Sequence, residues 1–131
     1  MINEVIINGE RLALIVRSQF NPQSSQFLTN DDDTLQLGFI VYDAGKFITP
    51  HVHKSVTRTI IGTPEVLVVK SGKLKTTFYN DERMEIGEEV LYTGDIIVLF
   101  KGGHGFEMLE NTTLIEVKQG PYLGELDKEK F

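Results

Sequence analysis

The sequence predicts an all-β protein made of antiparallel strands, either a sandwich or a barrel. Short apolar or alternating segments recur at spacings of about 8–12 residues, separated by Gly, Asn, Asp or Pro. No stretch keeps a helical period over about 12 residues. A length of 131 residues matches one domain. We therefore expect a single all-β domain over residues 1–131.

The first 34 residues are expected to form a hairpin and then a long loop. Residues 2–7 and 12–17 are predicted strands around Asn8-Gly9, because Asn-Gly between apolar segments is a strong hairpin signal. Residues 18–34 are polar and contain three consecutive aspartates. This composition is typical of a solvated loop, and loops of this length are often lids.

The remaining strands are predicted from apolar segments bounded by turn residues. Residues 65–70 are apolar on both faces, so this strand is expected to be buried on both sides. The C-terminal tail, residues 120–131, is expected to be a short helix or a docked arm. In order, the predicted strands are residues 35–43, 56–61, 65–70, 73–80, 88–93, 96–100, 105–110 and 113–119.

Composition excludes several classes of protein. The formal net charge is −6 and there is no basic run, which argues against nucleic-acid binding. No apolar run approaches the 18 or so residues of a membrane span, and the N-terminus lacks the layout of a signal peptide. The chain has no cysteine, which suits a reducing compartment. We expect a cytoplasmic protein without nucleic-acid or membrane partners.

The three histidines of the chain are candidate metal ligands. His51 and His53 are two residues apart, so on an extended strand they would lie on one face, about 6.6 Å apart along the chain. Neutral imidazole is the commonest nitrogen ligand in proteins. Glu65 and the distant His104 would complete a site for a divalent transition ion.

The spacing around these histidines resembles the first motif of the cupin superfamily, in which Gly, five residues and His-x-His precede Glu, six residues and Gly. Here Gly45 precedes His51-Val52-His53 by five residues, and six residues separate Glu65 from Gly72. The chain departs from the family between these halves, where 11 residues stand in place of three or four.

The second cupin motif is matched less closely. Gly94 is followed by five residues and then by Phe100-Lys101-Gly102, where the family has Pro-x-Gly. One residue instead of two precedes His104, and Met108 stands where the family has Asn. The resemblance covers residues 35–119. It implies a small single-domain jelly-roll barrel, also called a double-stranded β-helix, with iron, manganese, zinc or nickel held inside.

The 11-residue insertion makes Glu65 and Arg58 rivals for the fourth ligand position. In one alignment the strand continues through Arg58, and the metal has three histidine ligands. In the other, residues 54–64 loop out, and Glu65 takes the family's carboxylate position. We favour the second alignment, because Gly62-Thr63-Pro64 ends the loop and because a divalent cation repels arginine.

Three residues are candidate substrate contacts. Arg58 matches an anionic group, since a guanidinium binds carboxylate or phosphate with two hydrogen bonds. Its alternative role is an ion pair with one of the 19 acidic residues. Tyr42 and Phe106 would line the pocket of the barrel, or else belong to the core. The sequence assigns no catalytic residue.

The resemblance leaves three functions open. The first is a metal-dependent enzyme acting on a small organic molecule, an oxygenase or an isomerase. The second is a metal-bearing protein that binds a sugar or other small ligand without turnover. The third is a metal-free enzyme like the sugar epimerases of the superfamily, with a histidine as base.

Self-association is also expected from the sequence. The strands at residues 65–70 and 96–100 are apolar on both sides. Such strands would expose more apolar surface than a small monomer usually does. The sequence therefore predicts a homodimer.

Overall fold

The computed structural model describes all 131 residues and is all-β, as predicted. Contacts divide the chain into two compact units: unit 1 is Met1–Phe20 with Thr63–Phe131, and unit 2 is Asn21–Gly62. No helix has the length and apolar character needed to cross a membrane. The elements are β1 (Ile2–Ile7), β2 (Glu10–Val16), β3 (Gln26–Phe27), β4 (Gly38–Phe39), β5 (Glu65–Ser71), β6 (Lys73–Tyr79), β7 (Glu85–Tyr92), β8 (Ile96–Leu99), β9 (Gly103–Met108), β10 (Thr113–Lys118) and a 3₁₀ helix at Gly124–Leu126.

Unit 1 is built from two antiparallel sheets. A five-stranded sheet has the order β1-β2-β8-β5-β10, and a three-stranded sheet has the order β7-β6-β9. Both sheets are open, with edges at β1 and β10 in one and at β7 and β9 in the other. The sheets therefore do not close into a barrel, since closure requires a ladder that continues without edges, and of the two expected architectures the antiparallel sandwich agrees with this arrangement. Two short strands, β3 and β4, pair in unit 2.

The hydrophobic core lies between the two sheets of unit 1. On β6 the burial alternates, so Leu74, Thr76 and Phe78 point inward while their neighbours are partly exposed. Apolar side chains of β2, β5 and β8 meet them from the other sheet. Burying one such side chain contributes roughly 1.5–3 kcal/mol. The buried members of this cluster are Ala13, Ile15, Leu67, Val69, Leu74, Phe78, Leu91, Ile97 and Leu99.

Local turn chemistry correctly predicted the hairpin of β1 and β2, but the segments on either side of Ser71-Gly72, also expected from their turn residues to form a hairpin, belong to different sheets. Asn8 and Gly9 both have positive φ, at 51° and 77°, as the tight turn between β1 and β2 requires. Gly72, between β5 and β6, has a φ of 104°. A Cβ at this glycine would lie 2.4 Å from the carbonyl oxygen of Asn111. Only glycine fits this position without displacing backbone.

Two predicted strands are absent or much shorter. Of residues 35–43, only Gly38–Phe39 form a strand, and residues 56–61 form none. Val56 is 58% exposed and Ile61 is 93% exposed. Strand preference in a sequence reflects packing on a half-buried pleated surface. These apolar residues have no such surface and no cross-strand partner, so their preference is not realised.

The strands predicted to be apolar on both faces are buried within the single chain. On β5, Val66 and Leu67 are 8% and 5% exposed, and on β8, Ile97 and Val98 are both 0% exposed. They therefore do not provide the exposed surface from which the homodimer was inferred. The homodimer itself stays a prediction.

Candidate functional site

Glu65 and His104 lie on different sheets of unit 1 and meet between them. Glu65 begins β5 and lies opposite Leu99 of β8, which belongs to the core. Directly opposite residues share a face of the sheet, so Glu65 points toward the three-stranded sheet. His104 on β9 lies opposite the core residue Phe78 and points back. His104 Nε2 is 3.3 Å from Glu65 Oε2.

The pair is partly shielded from solvent. The Glu65 side chain is 17% exposed and that of His104 is 29% exposed. The hydrogen bond from His104 lowers the pKa of the Glu65 carboxyl, and burial opposes this effect. The charge of His104, a side-chain hydrogen bond with Glu116 and the charge of Lys118 lower the same pKa further. The carboxylate is therefore the favoured form of Glu65.

Two charged residues of β10 adjoin the pair. Lys118 lies directly opposite Glu65, and Glu116 lies opposite Leu67, one step along the same face. The ring of Phe106 lies 5.2 Å from that of His104 and completes the surroundings. Sequence reasoning named Phe106 but missed both β10 residues. In the sequence, Glu116 and Lys118 alternate with Ile115 and Val117. This alternation could have predicted that the two charged residues share one face of the strand.

An imidazole in contact with a carboxylate supports two kinds of chemistry. The carboxylate orients the ring, and an imidazole held in this way can transfer a proton to or from a bound molecule. The same two groups are ordinary ligands of divalent transition ions. Both roles need access for a second species, and the partial exposure of Glu65 and His104 allows it.

The other two predicted ligands lie close together in unit 2. The ring centroids of His51 and His53 are 5.3 Å apart, although these residues form no strand. His51 Nδ1 lies 2.8 Å from the carbonyl oxygen of Thr49. Because a carbonyl oxygen can only accept a hydrogen bond, Nδ1 of His51 is the donor. In the neutral ring the lone pair is then on Nε2, which is the nitrogen available to a metal.

The predicted ligand set is thus found as one pair in each unit. No group of three or more His, Cys, Asp or Glu side chains is arranged to hold a metal within either unit. The two substrate candidates in unit 2, Tyr42 and Arg58, are exposed. Residues 54–64 form no strand and β5 begins at Glu65, an arrangement that agrees with the alignment in which the insertion loops out.

No protein-family model, curated protein or solved structure matches this chain.

Proposed function

We propose that the chain is a cupin-like protein that uses Glu65 and His104 to bind, or act on, a small organic molecule together with a divalent transition metal. The observation that carries this proposal is the 3.3 Å contact between His104 Nε2 and Glu65 Oε2. These residues are 39 positions apart in the sequence and belong to different sheets. Partly burying charged groups on the inward face of a sandwich costs free energy. A functional role for the pair would account for this cost.

The donor atoms fit part of a transition-metal site. One carboxylate oxygen and one imidazole nitrogen are two of the usual three or four protein ligands. The proposal takes the metal to be iron, manganese, zinc or nickel, with Glu65 and His104 as two of its ligands. A bound ion would polarise an oxygen atom of the small molecule.

Cupin membership is part of the same proposal. Two antiparallel sheets in unit 1 support it, as does the conformation of the motif glycines. Gly45, Gly72, Gly94 and Gly102 have φ values of 87°, 104°, 89° and 80°. These are turn conformations that other residues adopt only with strain, so the motif spacing coincides with real turns.

In the proposed centre, the chain's own residues have distinct roles. Glu65 accepts a hydrogen bond from His104 and holds the ring in place, and Phe106 packs beside that ring. Lys118 lies on the same face as Glu65 and offers a positive charge to an anionic ligand.

A metal-free enzyme is the second candidate, and one observation favours it. Glu65 contacts the nitrogen of His104 directly, as in a general base oriented by a carboxylate. In that case the reaction would be proton transfer, with His104 exchanging the proton and Glu65 positioning it.

Metal analysis of variants separates the two candidates. We expect the purified protein, offered iron, manganese, zinc and nickel in turn, to retain one of them at close to one ion per chain. His104→Ala and Glu65→Gln should weaken binding at least about tenfold, or about 1.4 kcal/mol. Arg58→Gln should leave binding unchanged.

Glu107→Gln is the matched control. Glu107 lies on the same strand as His104 but pairs with Lys75 at 3.2 Å and is 63% exposed, so its loss should not alter metal content. A wild-type protein that retains none of the four metals would contradict metal binding and leave the metal-free enzyme. Turnover against a panel of sugars and small acids then distinguishes an enzyme from a binding protein.

A further inference from the structure

β10 is an edge strand with one side free of backbone pairing. It pairs with β5 and has no second neighbour in the five-stranded sheet. Its outward-facing side chains include Ile115 and Val117, which are 47% and 57% exposed. An edge with apolar side chains and unpaired backbone groups is a template for adding another strand.

One hydrogen bond shows which backbone groups of β10 are unpaired. The N–H of Gln119 donates to the carbonyl of Pro64 at 3.1 Å. Backbone groups alternate in direction along an antiparallel strand, so those of Ile115 and Val117 also point to β5. The N–H and C=O groups of Leu114, Glu116 and Lys118 point to the free side.

The charges of β10 restrict which strand can pair there. The backbone groups of Glu116 and Lys118 point to the free edge. Their side chains lie on the face of the sheet that also carries Glu65. A partner strand must place a positive charge opposite Glu116 and a negative charge opposite Lys118, because like charges directly opposite each other are unfavourable.

A second copy of β10 meets this requirement in one register. With Val117 opposite Val117 of the second copy, Glu116 faces Lys118 of the second copy and Lys118 faces its Glu116. These residues carry the unpaired backbone groups on both strands, so the hydrogen bonds can form. Shifting the centre to Glu116 would place two glutamates opposite each other.

The same register continues a charge pattern across the sheet. Within one chain, Glu65 lies directly opposite Lys118. In the paired form, Lys118 would lie between Glu65 and Glu116 of the second copy. Negative and positive charges then alternate along the row, which favours this register over pairing with an unrelated strand.

We propose that β10 pairs antiparallel with β10 of a second copy, centred on Val117, to form a two-fold symmetric dimer. The proposal does not rest on the proposed function. One strand pair buries less than the roughly 1,200–2,000 Å² of a standard interface. The dimer is therefore weak, and it forms at high micromolar to millimolar chain concentration.

Cysteine cross-linking tests the register directly, because the natural chain has no cysteine. In the proposed dimer the two Val117 positions form a non-hydrogen-bonded pair, with Cα atoms about 4.5 Å apart, which is within the range that a disulfide spans. Under mild oxidation at millimolar concentration, we expect Val117→Cys to convert mostly to a covalent dimer of twice 14.8 kDa.

Ile115→Cys is the matched control on the same exposed face. The two Ile115 positions would be separated by about 14 Å along the strands, so this variant should form almost no covalent dimer. Preferential cross-linking through Ile115→Cys would overturn the proposed register. Equal, slow cross-linking of both variants, or none, would overturn the pairing itself.

Charge variants supply an independent test by sedimentation equilibrium. Glu116→Lys places lysine opposite lysine, and Lys118→Glu places glutamate opposite glutamate, so each alone should remain monomeric. Mixed together, they restore both opposite-charge pairs and should form a heterodimer. Glu110→Lys and Lys70→Glu carry the same charge changes off β10 and should dimerise like the wild type. A wild-type protein that is monomeric at millimolar concentration would contradict the proposal.

Discussion

At the scale of single residues, Glu65 links stability to pH. Its pKa is lowered in the folded chain, chiefly by the His104 hydrogen bond, so the unfolded chain binds its proton more tightly. A lowered folded pKa stabilises the protein above the ordinary value, here 4.5. This stabilisation is lost as the pH falls through the lowered value.

We therefore expect Glu65→Gln, in metal-free protein, to reduce the free energy of unfolding near neutral pH. The difference from wild type should shrink as the pH falls below the ordinary glutamate range, because the wild-type carboxylate is then protonated as well. Urea unfolding across this pH range measures it, with Glu107→Gln as the control. A difference that grew on acidification would contradict the assigned role of the carboxylate.

Asp95 is the residue on which a buried polar network depends. Its side chain is 3% exposed and accepts a 3.0 Å hydrogen bond from Arg17 Nη1. It also accepts bonds from the backbone N–H groups of Ser18 and Tyr92. Arg17 in turn contacts Glu89 at 2.8 Å. Asp95 thereby joins the end of β2 to the turn between β7 and β8.

Replacing Asp95 by Ala should destabilise the protein by about 3 kcal/mol or more, because a partly buried arginine and two backbone donors lose their acceptor. Glu89→Gln should cost much less, since its side chain is 35% exposed and water can replace it. Denaturant unfolding of both variants measures the contrast. Equal costs would show that burial does not decide the energetics of this network.

At the scale of elements, the turn that leads from β5 in one sheet to β6 in the other depends on one glycine. Gly72 combines a φ of 104° with a space closed by Asn111 and Thr112. The Gly72 N–H also donates to Thr93 Oγ1 at 3.0 Å. Three loops therefore meet at this turn, and β5, which starts at Glu65, is anchored at its far end.

Gly72→Ala should cost more than about 1 kcal/mol of stability, because alanine is strained at this φ and its Cβ meets backbone. Gly87→Ala is the control, since nothing lies within 4 Å of a Cβ at that strand position and its φ is not positive. Thermal unfolding compares them. A Gly72→Ala protein as stable as Gly87→Ala would contradict the steric argument.

At the scale of the whole molecule, each unit contains one of the two histidine-containing pairs. His51 and His53 belong to unit 2, and Glu65 and His104 belong to unit 1. Each pair supplies two protein ligands, fewer than the three or four of the usual transition-metal site.

We expect His104→Ala to weaken zinc binding about tenfold or more, because His104 and Glu65 are the proposed ligands. Titration with zinc, followed by equilibrium dialysis, measures this, and His51→Ala measured in parallel shows whether the pair in unit 2 also contributes. A His104→Ala variant that binds zinc like the wild type would contradict the proposed ligands.

Much of the fold follows from the sequence alone. The strands β1, β2 and β5–β10 were predicted within a few residues, because alternation and turn residues such as Asn8-Gly9 act locally. Glu65 and His104 were predicted as ligands of one metal from the resemblance to a known motif, and they lie in contact.

Other features were decided only by tertiary structure. The neighbourhood of Glu65 includes Lys118 and Glu116, and the network of Asp95 includes Arg17, because strand order brings distant residues onto one face. Except at a tight hairpin such as the one at Asn8-Gly9, local sequence does not determine which strands become neighbours. The apolar residues 56–61 are strand-like in sequence but lack a partner. A strand is stable only when another strand pairs with it, and the sheet as a whole determines that pairing.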